Sequence, residues 1–316
     1  MTIGIGATGP NAGLAVFKAL AAAEAVCEHR AIGGFAVFCA ITADGQVRYA
    51  QTQRGGTDTL FTLGDTTGVA PPPDIASARL AAVISSGPDR PEPLTQYILA
   101  DPEVGIVTGH RFPQTVSKDG KALNISILDN MRSGMSPEAA LSEVLSNNPK
   151  SDAGMIALST DAQIAYLNSQ RVAQRTDAGS AQIHDTEAGA GVAVLYNGLT
   201  LETALGDLLA EVAMRILCPP RSASGSFMIR AGIQAIYGEE DGVEIDNGQL
   251  IKLVVSDPLL LKGLHNCAIV YRGCKVVRNG EVVGFTMNEP NALVEDGRVV
   301  SVSGHTEMLI DYLTPQ

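Results

Sequence analysis

Four short triplets bring a hydroxyl, a glycine and then a proline or histidine together after an apolar run: Thr8-Gly9-Pro10, Ser86-Gly87-Pro88, Thr108-Gly109-His110 and Ser303-Gly304-His305. A hydroxyl beside an unobstructed backbone N–H can hold a carboxylate or an oxyanion. The same residues also make ordinary turns. Two of the triplets end in histidine, the side chain whose ordinary pKa lies nearest neutrality, so His110 and His305 are the candidate acid–base groups. Arg54 and Arg171 stand in matching places in a repeated stretch, and a guanidinium fork suits a carboxylate or phosphate. Arg54 is followed by Gly55-Gly56-Thr57, a loop in which a ligand could come close to the backbone. The candidate ligand-binding residues are therefore Thr8, Gly9, Arg54, Gly55, Gly56, Thr108, Gly109, Arg171, Ser303 and Gly304.

A threonine can serve as nucleophile when its own free α-amine acts as the base. A cut after Asp185 would expose Thr186, in His184-Asp185-Thr186 ahead of a Gly-rich strand, and removal of Met1 would expose Thr2. Thr186 ranks ahead of Thr2. The five cysteines form no CxxC pair; Cys39 and Cys267 lie in apolar strands and read as core. The five histidines make no HxH, HExxH or His/Cys array, so no metal centre is expected. Gly4-Ile5-Gly6-Ala7-Thr8-Gly9 has dinucleotide-loop glycine spacing but no acidic residue at the end of a second strand, and no Walker loop is present. No cofactor is expected.

The elements that would position these groups are read from an internal duplication. Ala36 to Arg54 returns at Ala153 to Arg171 without a gap, with seven identities in nineteen positions, among them Asp44 with Asp161, Tyr49 with Tyr166 and Arg54 with Arg171. Each copy reads as a strand, a helical portion and a hairpin. Thr2 to Ala7 is a strand, Gly13 to His29 a helix with Leu14, Phe17, Leu20, Ala21, Ala25 and Val26 on one face, and the hairpin turns at Ala43-Asp44-Gly45. In the second copy a strand ends at Thr108-Gly109-His110-Arg111, and helices follow at Leu123 to Met131 and Pro137 to Ser146, the latter capped by Ser136. The Thr-Gly pairs are 100 residues apart and the hairpins 117, so the second copy carries 17 extra residues between them.

A strand over Gly191 to Tyr196, a helix over Leu201 to Leu217 and a strand over Phe227 to Tyr237 read as a degenerate third copy. Beyond Asp241 the chain is mostly β, with hairpin turns at Asn247-Gly248, Asn279-Gly280 and Asp296-Gly297, and a last helix through Tyr312. The expected division is residues 1–101, 102–186 and 187–316. Few aromatics, no Trp, 33 glycines and Ala-rich helices favour a layered α/β sandwich, small side chains letting helices approach a sheet closely.

A net charge of -12 argues against nucleic acid or an anionic membrane as partner. No apolar run reaches the roughly 20 residues that span a bilayer, and the start lacks signal-peptide character. A reduced, cytoplasmic setting is the expectation.

Two stretches resemble the plant-type asparaginase and glycosylasparaginase branch of the N-terminal nucleophile hydrolases. One is Val104 to Ala165, with Thr108-Gly109, the run Met131-Arg132-Ser133-Gly134-Met135-Ser136-Pro137-Glu138, and Asp152 to Leu158. The other is Gly6 to Arg54, with Thr8-Gly9 and Gly33-Gly34. The resemblance covers about a third of the chain and implies an αββα sandwich of the repeated units, with the Thr-Gly pairs touching substrate. It assigns no nucleophile, because the family's nucleophile precedes its Thr-Gly segment and nothing upstream of Thr108 marks a cleavage point. An alternative closes the repeats into a barrel, as in the three-unit ring-opening amidohydrolases, whose Ser-Gly-Gly signatures this chain lacks. The expected function is that of an amidohydrolase-like enzyme acting on a small carboxylated or amide metabolite between the two copies. A non-catalytic metabolite-binding or assembly protein, or a homo-oligomer, could be built from the same glycines and arginines.

Overall fold

A computed structural model describes residues 1–27, 31–199, 204–219 and 222–315. The chain is mixed α/β and divides into two compact units, Met1–Pro219 and Pro220–Gln316. The boundaries expected near residues 101 and 186 therefore fall inside the first unit.

The first unit is built from strands β1 (Thr2–Thr8), β2 (Ala36–Ile41), β3 (Val47–Thr52), β4 (Leu80–Ser86), β5 (Leu99–Asp101), β6 (Gly105–Arg111), β7 (Ala153–Ser159), β8 (Ile164–Asn168), β9 (Ala178–Asp185) and β10 (Ala190–Asn197). Its main helices are α1 (Ala12–Val26), α2 (Leu123–Arg132), α3 (Pro137–Asn147) and α4 (Ala204–Leu217). One sheet has the order β9-β10-β1-β4-β2-β3 and the other β8-β7-β6-β5. Along β1, Ile3, Ile5 and Ala7 join the core formed with α1 and α4, while Thr2, Gly4, Gly6 and Thr8 face the second sheet. The sheets meet through Val37, Ile84, Ile106, Ile156, Leu158 and Leu195, and α2 and α3 cover the far side of the second sheet through Leu123, Ile127, Leu141 and Leu145. Each such fully buried aliphatic side chain contributes about 1.5–3 kcal/mol. The glycines on β1 set the separation: a methyl on Gly4 would lie 2.6 Å from the carbonyl carbon of Gly109, so β1 and β6 touch backbone to backbone.

The duplicated hairpins fold alike. Ile41 pairs with Val47 and, 117 residues on, Leu158 with Ile164, in the same register. Thr42 and Ser159 each receive the amide of the residue three further on, Gly45 or Ala162, and both of these have positive φ (74° and 67°). The exits differ: Ser169 caps a short helix, Gln170–Ala173, whereas Arg54 leads into the loop of Gly55 and Gly56. The two hairpins lie in different sheets.

In the second unit, strands Gly225–Arg230, Glu307–Leu313, Glu281–Thr286, Lys275–Arg278, Gly242–Asp246 and Gln249–Val255 pair in that order, and Met228 pairs with Gln249 to close a six-stranded barrel. Phe227, Ile229, Val243, Leu253, Val276 and Ile310 fill it. Asn279-Gly280, Asn247-Gly248 and Asp296-Gly297 all turn with positive φ at both residues, as expected of these dipeptides.

Three readings need correction. The last element, Glu307–Leu313, is a strand and not a helix: it is hydrogen-bonded on both sides, and Ile310 and Tyr312 alternate into the barrel. The strand assigned to a third copy is two strands, Gly225–Arg230 and Ala235–Tyr237, both in the second unit. Helix α1 buries Ala12, Ala15, Val16, Ala19, Leu20 and Ala23 while Val26 is exposed, because alanines permit the closest packing. His29 and Leu201 lie outside the described residues.

Candidate active site

The polar groups of the first unit converge at the end of the sheets where β1 begins. Thr2 pairs in register with Asn197 of β10 on one side and Ser86 of β4 on the other, and side chains opposite one another on neighbouring strands share a face. The Thr2 hydroxyl donates to Asn197 Oδ1 at 2.6 Å and accepts the backbone N–H of Arg111 at 2.9 Å. Arg111 ends β6 with φ 67°, a left-handed conformation that costs a non-glycine residue of order 1 kcal/mol and turns its amide toward the hydroxyl. Thr2, Asn197 and His110 are all buried.

His110 lies on β6 and faces the same interior. Its Nε2–H donates to Asn168 Oδ1 at 2.9 Å, leaving Nδ1 as the lone-pair nitrogen, with no hydrogen-bond partner among the described residues. Burial pushes its pKa down to about 4, against the opposing influence of Asn168 and Asn197, so the ring is neutral at physiological pH. The neighbouring Thr108 hydroxyl is likewise buried without a partner. Room for this pair comes from Gly154: a methyl there would collide with Asn168 Oδ1 and His110 Nε2 and stand 2.6 Å from His110 Cδ2. Buried polar atoms without partners are rare in folded proteins and are over-represented where chemistry is done.

Cations surround the start of β1. Arg111 forms a two-point pair with Asp152, Nη2 to Oδ2 at 2.7 Å, and this hydrogen bonding holds the Asp152 carboxyl below its ordinary range. Arg175 is paired with Asp177. Arg90 donates from Nε to Ser86 Oγ at 3.3 Å and has no carboxylate within ion-pair distance among the described residues. The α-amine of Met1 is held below the usual amine range by burial first, then by the charges of Arg111 and Arg90.

The structure places the sequence-derived candidates as follows. Thr108, Gly109 and His110 lie inside β6, which runs on to Arg111, and His110 belongs to the cluster. Thr8 and Gly9 are at the other end of β1, where the Thr8 hydroxyl donates to the Ala162 carbonyl at 3.3 Å. Arg54 is 84% exposed and paired with Asp89. The amides of Gly55 and Gly56 donate to the carbonyls of Gly33 and Gly34, and that of Thr57 to Glu24, so the glycine loop closes on its own protein and leaves none of these N–H groups for a ligand. Arg171 is exposed on its short helix. Thr186 sits in the exposed turn joining β9 to β10. Ser303, Gly304 and His305 form an exposed turn of the second unit, with positive φ at Ser303 and Gly304. Among the described residues no group of three His, Cys, Asp or Glu could hold a metal ion.

Asn168, Asn197, Arg90 and Arg111 were not singled out from sequence as functional. Asn168, as the counterpart of Gln51, and Arg111, at the end of Thr108-Gly109-His110-Arg111, lay in flagged stretches, while Asn197 and Arg90 did not. Two open clefts of about 320 and 470 Å³ lie by the tip of the second hairpin, lined by Ser136, Pro137 and Gln163 in both cases. There Asp161 is engaged by Ser159 and Gln163 to make the turn, which is structural work.

No described helix is long and apolar enough to cross a membrane. A search of curated proteins finds no match to the chain. Residues 232–307 match the family described as Domain of unknown function (DUF7259). Residues 2–226, the whole span that carries the Thr2 cluster, match a second family, and the chain belongs to it: Domain of unknown function (DUF6963).

Proposed function

We propose that the first unit is an amidohydrolase of the N-terminal nucleophile kind, with Thr2 as nucleophile after the Met1–Thr2 bond is cleaved, acting on a small carboxylated or amide metabolite. The layering of α1 and α4, two sheets, and α2 and α3 is read as an αββα sandwich, with Thr2 opening its central strand. The observation that carries the proposal is the Thr2 hydroxyl: buried at the start of β1, it is oriented by Asn197 and by an amide from the strained Arg111.

In this reading the freed α-amine of Thr2 takes the hydroxyl proton as Oγ attacks the amide carbonyl. Burial and the charges of Arg111 and Arg90 hold the Met1 amine, one residue upstream, below the usual amine range, the direction that favours a base at this end of β1. The amine or ammonia leaves on collapse of the tetrahedral adduct, giving an ester on Thr2 that water hydrolyses. His110, neutral and fixed by Asn168, keeps the Asn197 side of the site in place without adding a charge.

The test compares Thr2→Ser and Thr2→Ala in an ammonia- or amine-release screen against small carboxylated amides. Retained turnover in the serine variant and none in the alanine variant is the expected result. An alanine variant as active as the wild type would refute the assignment.

A further inference from the structure

Arg90 is held in place by its neighbours, yet among the described residues no carboxylate pairs with it. Its backbone is fixed by the Gln53 side chain on both sides: Arg90 N–H donates to Gln53 Oε1 at 3.0 Å and Gln53 Nε2 donates to the Arg90 carbonyl at 2.7 Å. Its guanidinium lies 5.0 Å from the ring centre of Phe112 and 5.8 Å from that of Tyr97, while Nε is tied to Ser86. Stacking between rings orients the planar fork and lowers the entropy lost when it meets a carboxylate. With Nε engaged, the remaining N–H groups of the fork stay available. Its neighbours Arg111 and Arg175 are each paired with an aspartate. In a chain of net charge -12, a half-buried arginine with no carboxylate is a costly feature.

Ser86 stands opposite Thr2 in the ladder, and side chains so placed are about 5 Å apart. Through Ser86, which its Nε meets at 3.3 Å, Arg90 is thus tied to the strand position beside Thr2. We infer that Arg90 is the anchor for a free carboxylate on the substrate, which makes the substrate class a small amide carrying a carboxylate two or three bonds from the scissile carbonyl. The position of the scissile bond rests on the reading of Thr2 as nucleophile; the anion site itself does not.

The probe is succinamate, which carries an amide and a carboxylate on a two-carbon spacer, titrated calorimetrically into the purified full chain beside its methyl ester. Arg90→Gln should weaken succinamate binding about 10- to 100-fold, the range of a charge-assisted pair. Arg90→Lys, which keeps the charge but not the fork, should fall between. The wild type should prefer the acid to the ester by a similar factor, a comparison that needs no variant to fold. Arg54→Gln should bind as the wild type does, and because acid and ester are compared without turnover, failure of the anion site is separable from failure of the nucleophile. Absence of succinamate binding to the wild type, equal affinity for acid and ester, or an unaltered Arg90→Gln would each overturn the inference.

Discussion

His110 makes the stability of the first unit depend on pH. Its pKa is pushed from 6.5 down to about 4 by burial, so the folded protein refuses a proton that the unfolded chain accepts. Above pH 6.5 the ring is neutral in both states and contributes nothing. Below that value the unfolded state binds more protons, so stability falls as pH falls, and the loss is complete below about pH 4. In full this corresponds to roughly 3 kcal/mol, and about 2 kcal/mol of it is lost between pH 7.5 and pH 5.

The perturbation is His110→Gln, which keeps a donor for Asn168 and removes the titration. Its lost packing lowers stability equally at both pH values, so the slope is the readout. Urea melts by circular dichroism at pH 5 and 7.5 would show the wild type losing about 2 kcal/mol more than the variant. Other titrations cancel in the comparison. Glu24, raised mainly by burial, acts in the opposite direction in both proteins, and the depressed carboxylates such as Asp152 and Asp177 matter only below their ordinary value near 3.8. Parallel pH dependence in the two proteins would refute the claim that His110 is held neutral.

Gly154→Ala places a methyl where Asn168 and His110 meet, and displacing the pair should cost about 2–4 kcal/mol from overpacking and a lost buried hydrogen bond; a thermal melt within a degree of the wild type would contradict the packing. Arg54→Ala removes an exposed, solvent-screened pair with Asp89 and should leave the urea midpoint unchanged in the same melts. It should also leave anion binding intact, where the sequence alone had suggested that Arg54 binds the ligand.

What could be read from the chain divides along the range of the interactions. The duplicated hairpins, Ser136 as a helix cap and the Asn-Gly turns depend on residues a few positions apart, and they lie where their local chemistry puts them. The candidate site depends on Thr2 meeting Asn197 and Arg111, separations of 195 and 109 residues that only the order of strands brings together. Thr186 outranked Thr2 because His184-Asp185 and a Gly-rich strand flank it, yet that pattern makes a hairpin turn. Arg54 drew attention for its glycines, which serve the packing of its loop on Gly33 and Gly34, while Arg90 sits in Asp89-Arg90-Pro91 with no local pattern to mark it. The strand Glu307–Leu313 reads equally well as the end of a helix until its two partners are known.

The central claim is that Thr2 works with its own α-amine, which is chemically available only when nothing precedes it. N-terminal sequencing with an intact mass of the purified, active protein addresses this directly. A chain beginning Thr2-Ile3-Gly4 is the expected result, and a fully active protein that still carries Met1, or one newly begun at Thr186, would contradict it.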